Sequence, residues 1–283
     1  MMSTAEKQFS IRRMTQDDVL LAVEWAAEEG WNPGLNDAVN FYETDPHGFF
    51  IGELNDAPIG CISAVRYGSS FGFIGFYIIR KELRGKWYGV MLGRTAMGYL
   101  NDRNIGIDGV EAKIKNYEKF GFNLAHRNIR HEGKGGGSRC ARVVDLAGLS
   151  FDTIASYDQE IFPARRNLFL KQWITQPGSS LGYVENGRLK GYGVLRPCRT
   201  GFKIGPLFAD KAAIAEQLFQ ALAADVPADT SLFLDVPATN PAALALARNH
   251  GMTPVFETGR MYTREIPDLP IDMIFGITSF ELG

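Results

Sequence analysis

Phe76-Tyr77-Ile78-Ile79-Arg80-Lys81-Glu82-Leu83-Arg84-Gly85-Lys86-Trp87-Tyr88-Gly89 begins apolar, turns charged, and closes on a basic, glycine-bearing segment. After it, Leu92, Ala96, Tyr99 and Leu100 fall on one face at helical spacing, and Asn101-Asp102 supply a stop. The pattern predicts a strand, a tight turn and the first turn of a helix. The N–H groups at a helix start have no intrahelical partners and sit at the positive end of the helix dipole. Such a terminus holds a phosphate or pyrophosphate, and glycine lets the backbone approach it closely. A short basic glycine motif alone is also what a solvated turn looks like. The strand before it and the helix after it are what give it weight. The ligand implied is a nucleotide-like molecule with a pyrophosphate.

Composition narrows the class. At 283 residues the chain is long enough for two domains with their own cores, and 45% apolar residues argue for a folded globular protein. A net charge of −2 provides no general basic field, so nucleic acid is not an expected partner. Cys61, Cys140 and Cys198 are too few and too scattered for a disulfide framework or a zinc site, which suggests a reducing compartment. His47, His126, His131 and His250 show no metal-ligand spacing, and no metal is expected. No apolar run reaches the ~20 residues of a membrane span, and Met1 to Lys7 lacks the apolar core of a secretion signal. A cytoplasmic protein without a membrane partner is the expectation.

Strand and helix signals alternate through the chain, and the order repeats. Phe9–Arg12 reads as a strand, and Thr15-Gln16-Asp17-Asp18 opens a helix with Leu20, Val23 and Ala27 on one face. A short helix over Asn36–Thr44 follows, then a hairpin around Asn55-Asp56, then the strand Ser70–Ile79 and the basic turn. Ile105–Val110 reads as a strand, Ala112–Phe120 as a helix, and Phe122–His131 as a strand. From Ala141 the sequence runs through a similar series, with a hairpin around Asn186-Gly187 and closing strands at Val255–Thr263 and Ile274–Glu281. Gly60 and Gly191, Gly121 and Gly251, and Asp108 and Asp235 keep nearly constant offsets. The reading is a tandem duplication in an α/β chain with mixed sheets, residues 1–137 and 138–283. Gly133-Lys134-Gly135-Gly136-Gly137-Ser138 reads as the flexible linker between them.

The first-half order, with Arg84-Gly85-Lys86-x-x-Gly89 between its fourth strand and third helix, resembles the GNAT acetyltransferases. Tyr117-Glu118-Lys119-Phe120-Gly121-Phe122 is similar to a second landmark of that family. Two departures stand out: Trp87 occupies the usual central glycine position, and Val110 stands where an asparagine is usual. A finer resemblance, to tandem GNAT proteins whose second half is a YitH-like acetyltransferase domain, rests on Glu29-Gly30-Trp31-Asn32-Pro33-Gly34 and Leu83-Arg84-Gly85-Lys86 in the first half. In the second it rests on Phe162-Pro163-Ala164-Arg165, Leu234-Asp235-Val236-Pro237 and Phe275-Gly276-Ile277-Thr278.

The resemblance implies acetyl-CoA as co-substrate. Tyr77, Ile78 and Ile79 would face its pantetheine arm, and Arg84, Gly85, Lys86, Trp87, Tyr88, Gly89 and Val90 its pyrophosphate. Tyr117 would be the general acid for the CoA sulfur. Asp108, Glu24, Glu28, Glu29 or a water chain could deprotonate the amine. Glu28, Glu29, Trp31 and Asn32 would shape the acceptor pocket, with Trp31 as its floor or as simple packing. The acceptor would be a small-molecule amine or an exposed lysine, and the assembly a monomer or homodimer. In the second half, Ala247 replaces the tyrosine and Gly205-Pro206-Leu207-Phe208-Ala209-Asp210 lacks the basic turn, so one active site is expected. One competing reading is a non-catalytic acyl-CoA sensor; another gives the second half a structural role, completing the acceptor pocket and replacing the partner subunit of a dimeric relative.

Overall fold

The computed structural model describes residues 8–283; Met1 to Lys7, read above for a secretion signal, lie outside them. The first half runs β1 (Phe9–Arg13), α1 (Gln16–Glu28), α2 (Asp37–Thr44), β2 (Phe49–Leu54), β3 (Ala57–Tyr67), β4 (Phe71–Ile79), α3 (Tyr88–Leu100), β5 (Asn104–Val110), α4 (Ile114–Glu118) and β6 (Asn123–Lys134). The second runs β7 (Val143–Asp145), α5 (Phe151–Gln159), α6 (Asn167–Trp173), β8 (Ser179–Glu185), β9 (Arg188–Pro197), β10 (Phe202–Ala209), α7 (Ala212–Ala223), β11 (Ser231–Pro237), α8 (Pro241–Asn249), β12 (Thr253–Tyr262) and β13 (Ile274–Gly276). The mixed α/β class and the repeated order are as the sequence predicts.

Local chemistry explains the element ends. Thr15 Oγ1 accepts from the Asp18 amide at 3.3 Å while Asp18 Oδ2 accepts from the Thr15 amide at 2.8 Å, closing the capping box of α1. Asn55 and Asp56 both take left-handed φ, 51° and 61°, in the two-residue turn between β2 and β3. Helix α3 lays Leu92, Ala96 and Leu100 on Phe50, Ile62, Ile74 and Ile105 of the sheet. Helix α1 buries Val19, Ala22, Val23 and Ala26, whereas Leu20 is 50% exposed. The buried stripe is therefore rotated from the expected Leu20–Val23–Ala27 face, because α1 packs against both α2 and the β4 side of the sheet.

All strands join one sheet, in the order β1-β2-β3-β4-β5-β12-β6-β11-β10-β9-β8-β7, with β13 added on β10. Thus the halves exchange their closing strands. β12, from the second half, lies antiparallel to β5 of the first, and β6, from the first, lies antiparallel to β11 of the second. Equivalent buried ion pairs lock the two exchanges. Arg260 on β12 donates to Asp108 on β5 at 3.0 and 2.6 Å, and Arg130 on β6 donates to Asp235 on β11 at 2.7 and 2.8 Å. The near-constant Asp108/Asp235 offset seen in the sequence belongs to these pairs.

Three expectations need correction. Residues Gly133 and Lys134 extend β6, and Gly135 and Gly137 are closely packed rather than a flexible linker: a Cβ would meet Pro227 O at 2.5 Å from Gly135 and Gln220 O at 2.2 Å from Gly137. The helix expected over Ala112–Phe120 is a 3-10 turn, Glu111–Lys113, followed by the five-residue α4. The expected strand Ile274–Glu281 pairs only over Ile274–Gly276; beyond it the chain leaves the sheet edge and packs under β4.

Candidate active site

β4 lies parallel to β5 from Phe71 and Asn104 to Ile74 and Ile107, and there the pairing ends. On its other edge β4 pairs with β3 as Ser63 with Gly75 and Cys61 with Ile78, so β4 carries one extra residue at this point. Phe76, inside the bulge, takes a φ of 45°, rare for a bulky residue. Its carbonyl accepts from the Cys61 thiol at 3.1 Å, and Ser63 Oγ accepts from the Gly75 amide at 3.1 Å. The bulge and the end of pairing together open a V-shaped gap between β4 and β5.

A cavity of about 750 Å³ fills this gap. At one end stands the N-terminus of α3 with the preceding loop. Gly85 has a φ of 79°, and a Cβ on Gly89 would lie 3.0 Å from Tyr77 Oη, so glycine keeps the floor of the loop clear. Trp87, where the glycine is usual, has φ 9° and ψ −12°, and the residue is 77% exposed. Arg84 is tied down: Nε donates to Ile79 O at 2.8 Å and Nη2 to Glu29 Oε1 at 2.6 Å.

In the middle, the Tyr117 ring covers Gly109, where a Cβ would approach it to 2.6 Å, and faces Tyr77 at 6.4 Å between centroids. Burial raises the pKa of both phenols, Tyr77 to about 12, so each stays protonated through neutral pH. At the far end lie Trp31, Phe256, Thr258, Phe280, Asp108 and Glu281. Arg130 organises this end: it donates to Trp31 O at 2.6 Å and its guanidinium lies 4.8 Å from the centre of the Phe280 ring.

The structure thus brings Tyr77, Ile78, Ile79, Arg84, Gly85, Lys86, Trp87, Gly89, Val90, Tyr117, Asp108, Glu29 and Trp31 to one cavity. Tyr88 stands outside it, packed on Phe9 with ring centres 4.8 Å apart. Glu28 is exposed at the end of α1, and Glu24 pairs with Arg199 on the surface. Asn32 bridges the halves instead, exchanging hydrogen bonds with the Thr200 backbone at 2.9 Å in each direction. Asp108 is on the wall, but its carboxylate is already held by Arg260 and by Asn128 Nδ2 at 2.8 Å; burial nonetheless pushes its pKa up.

Phe256, Thr258, Phe280 and Glu281, which sequence reading does not pick out, come from the second half. One signal for them is present: Gly75 interrupts an apolar strand, and an interior strand glycine marks a close backbone approach. A Cβ there would lie 2.1 Å from the Glu281 carbonyl.

The second half contains the same bulge and a different filling. β10 carries one extra residue against β9 between Ile204 and Leu207 and stays parallel to β11 only as far as Ile204. Here β13 takes the exposed edge, pairing Leu207 with Gly276 and Phe208 with Ile274. Only Asp210 and Lys211 separate β10 from α7, where Arg80 to Trp87 separate β4 from α3. The second slot is filled by the protein's own chain, and its loop is gone.

Comparison with known proteins fits this pair of bulged, splayed units. Residues 17–122 match the acetyltransferase (GNAT) family and residues 154–276 an acetyltransferase (GNAT) domain. The holothin acyltransferase of Pseudoalteromonas sp. (strain SANK 73390) is 31% identical over 264 residues, covering 92% of this chain and 90% of that protein. The chain belongs to the GNAT acyltransferase family. Among solved structures, a putative acetyltransferase from Pyrococcus horikoshii superposes with a TM-score of 0.83 at 23% identity, over 97% of this chain and 96% of that one. A tandem GNAT protein from the clavulanic acid biosynthesis pathway gives a TM-score of 0.63 at 12% identity, over 92% of this chain and all (100%) of that one. These two likenesses concern the fold alone. GNAT enzymes use acyl-CoA as co-substrate, and the free β4 edge facing an open helix N-terminus suits an extended arm ending in a pyrophosphate. Among the described residues no cluster of side chains could hold a metal ion, and no helix is long and apolar enough to cross a membrane.

Proposed function

We propose that the protein transfers the acetyl group of acetyl-CoA to a primary amine, of a small molecule or an exposed lysine, by direct attack on the thioester in the first-half cavity. The observation that carries this reading is the contrast between the two bulges. β13 occupies the edge of β10, whereas past Ile74 the β5-side edge of β4 has no strand partner among the described residues. In this reading the pantetheine arm lies along Tyr77–Ile79 as β13 lies along β10. The pyrophosphate meets the N–H groups of Gly89 and Val90, with Arg84 and Lys86 beside it. A β4 amide at the bulge polarises the thioester carbonyl, as a preorganised donor does for developing oxyanion charge. Tyr117 then protonates the departing sulfur.

The family's finer YitH-like grouping is part of the same proposal, as is a cytoplasmic location. The relative named for holothin makes holothin the first acceptor to test, alongside simple primary amines and a lysine peptide. The competing reading, an acyl-CoA sensor, is separated by Tyr117→Phe. For an enzyme, turnover should fall by roughly 10²- to 10⁴-fold with acetyl-CoA affinity kept. Unchanged turnover in Tyr117→Phe would remove the phenol from the mechanism, and a wild type that binds acetyl-CoA without acylating any acceptor would favour the sensor.

A further inference from the structure

Three carboxylates of the first half lie in or near the cavity, and each has another task. Asp108 is held by Arg260 and Asn128, Glu29 is bound to Arg84, and Glu28 faces solvent. Glu281 differs. It lines the cavity, it is 2% exposed, and its Oε1 is buried without a hydrogen-bond partner among the described residues. A buried carboxylate oxygen left without a partner is costly and calls for an explanation. Its backbone position is equally specific, because the Glu281 carbonyl is pressed against Gly75, the residue before the β4 bulge. Trp31, Phe256 and Phe280 surround this end with aromatic surface, and Thr258 Oγ1 is a second buried, unpartnered polar atom there.

We infer that Glu281 is the general base of the acylation, taking a proton from the acceptor's ammonium group, and that the acceptor is a cationic primary amine with an apolar or aromatic body. This rests on the amine-acylation reading above. Glu281 accepts one ammonium proton and releases it to solvent. The amine nitrogen then forms the N–C bond, the C–S bond breaks with its electrons to sulfur, and sulfur takes the Tyr117 proton. The second nitrogen proton, lost as the amide forms, restores the phenol through solvent, leaving an amide, a free thiol and one proton. Burial raises the Glu281 carboxyl pKa, which suits a proton acceptor working near neutral pH; Lys203 on β10, Arg130 on β6 and Arg196 on β9 oppose the shift and Asp37 on α2 adds to it.

The test uses the full chain, acetyl-CoA, and a panel of holothin, 2-phenylethylamine and a lysine peptide. Glu281→Gln and Glu281→Asp are compared with wild type for acetyl-CoA binding by calorimetry and for kcat/KM from pH 6 to 10. Glu281→Gln should bind acetyl-CoA as wild type does and lose about 100-fold in kcat/KM at neutral pH. The loss should shrink toward pH 10, where a growing fraction of the amine is already neutral, and Glu281→Asp should recover part of the rate. Equal rates for wild type and Glu281→Gln would overturn the assignment alone, making Glu281 a member of the buried charge network with Lys203 and Arg196. A pH-independent loss accompanied by lost acetyl-CoA binding would also overturn it. A wild type that binds acetyl-CoA and acylates no amine in the panel would overturn the acceptor reading and this assignment with it.

Discussion

Gly75 and Glu281 meet at the point where β4 leaves β5, and both halves of the site depend on that contact. A methyl group at Gly75 would sit 2.1 Å from the Glu281 carbonyl, so Gly75→Ala must displace the C-terminal segment. Overpacking of this kind costs about 1–3 kcal/mol, measurable as a lower urea midpoint, and KM for the acceptor should rise more than KM for acetyl-CoA. Glu281 also sets a pH dependence of stability. Its folded-state pKa is raised, chiefly by burial, so the folded protein binds the proton more tightly than the unfolded chain. Stability attributable to this residue is present below the unfolded carboxylate range and is lost as pH rises through the raised value. The urea midpoint of Glu281→Gln should therefore gain on wild type as pH rises above the unfolded carboxylate range; a constant difference would argue against the shift. The Trp87 side chain is exposed, so Trp87→Gly should not lower acetyl-CoA affinity; a large loss on titration would show that the ring touches the cofactor.

The exchanged strands β6 and β12 hold the elements together. Arg130–Asp235 and Arg260–Asp108 occupy equivalent places, and each joins an arginine on the exchanged strand to an aspartate of the other half. Removing one member of a buried pair strands the other charge, at about 3–5 kcal/mol. Arg260→Met and Arg130→Met should each lose that much in urea unfolding, and Arg130→Met should additionally disturb the cavity wall through Trp31 and Phe280. The strands themselves were legible in their apolar alternation, and the paired aspartates in their offset. Which strand each would pair with was not, because a period of two fixes the faces of a strand and says nothing about its neighbour. For the same reason Tyr117 and the Arg84–Gly89 turn could be read from local sequence. Phe256, Phe280 and Glu281 reach the site only through the exchange and the folded-back C-terminal segment. The Gly135 and Gly137 stretch misled because glycine permits tight packing as readily as flexibility.

At the scale of the whole molecule, a duplicated unit has been turned to two uses. The first half keeps the basic loop and the open slot; the second lacks the loop, fills its slot with β13, and supplies β12 and one wall of the cavity to its neighbour. Residues 1–137 alone would leave the β5 and β6 edges without β12 between them, and unpaired edges of this length promote aggregation. That fragment should be insoluble or unfolded, and a soluble fragment with wild-type activity and acceptor preference would show the second half to be dispensable. In the proposed function each chain has one acyl-CoA site, in the first half. Calorimetric titration of acetyl-CoA into the wild type and into a folded Gly89→Glu variant tests it most directly. One molecule should bind per chain, and none to the variant. Two per chain, or binding that survives Gly89→Glu, would contradict it.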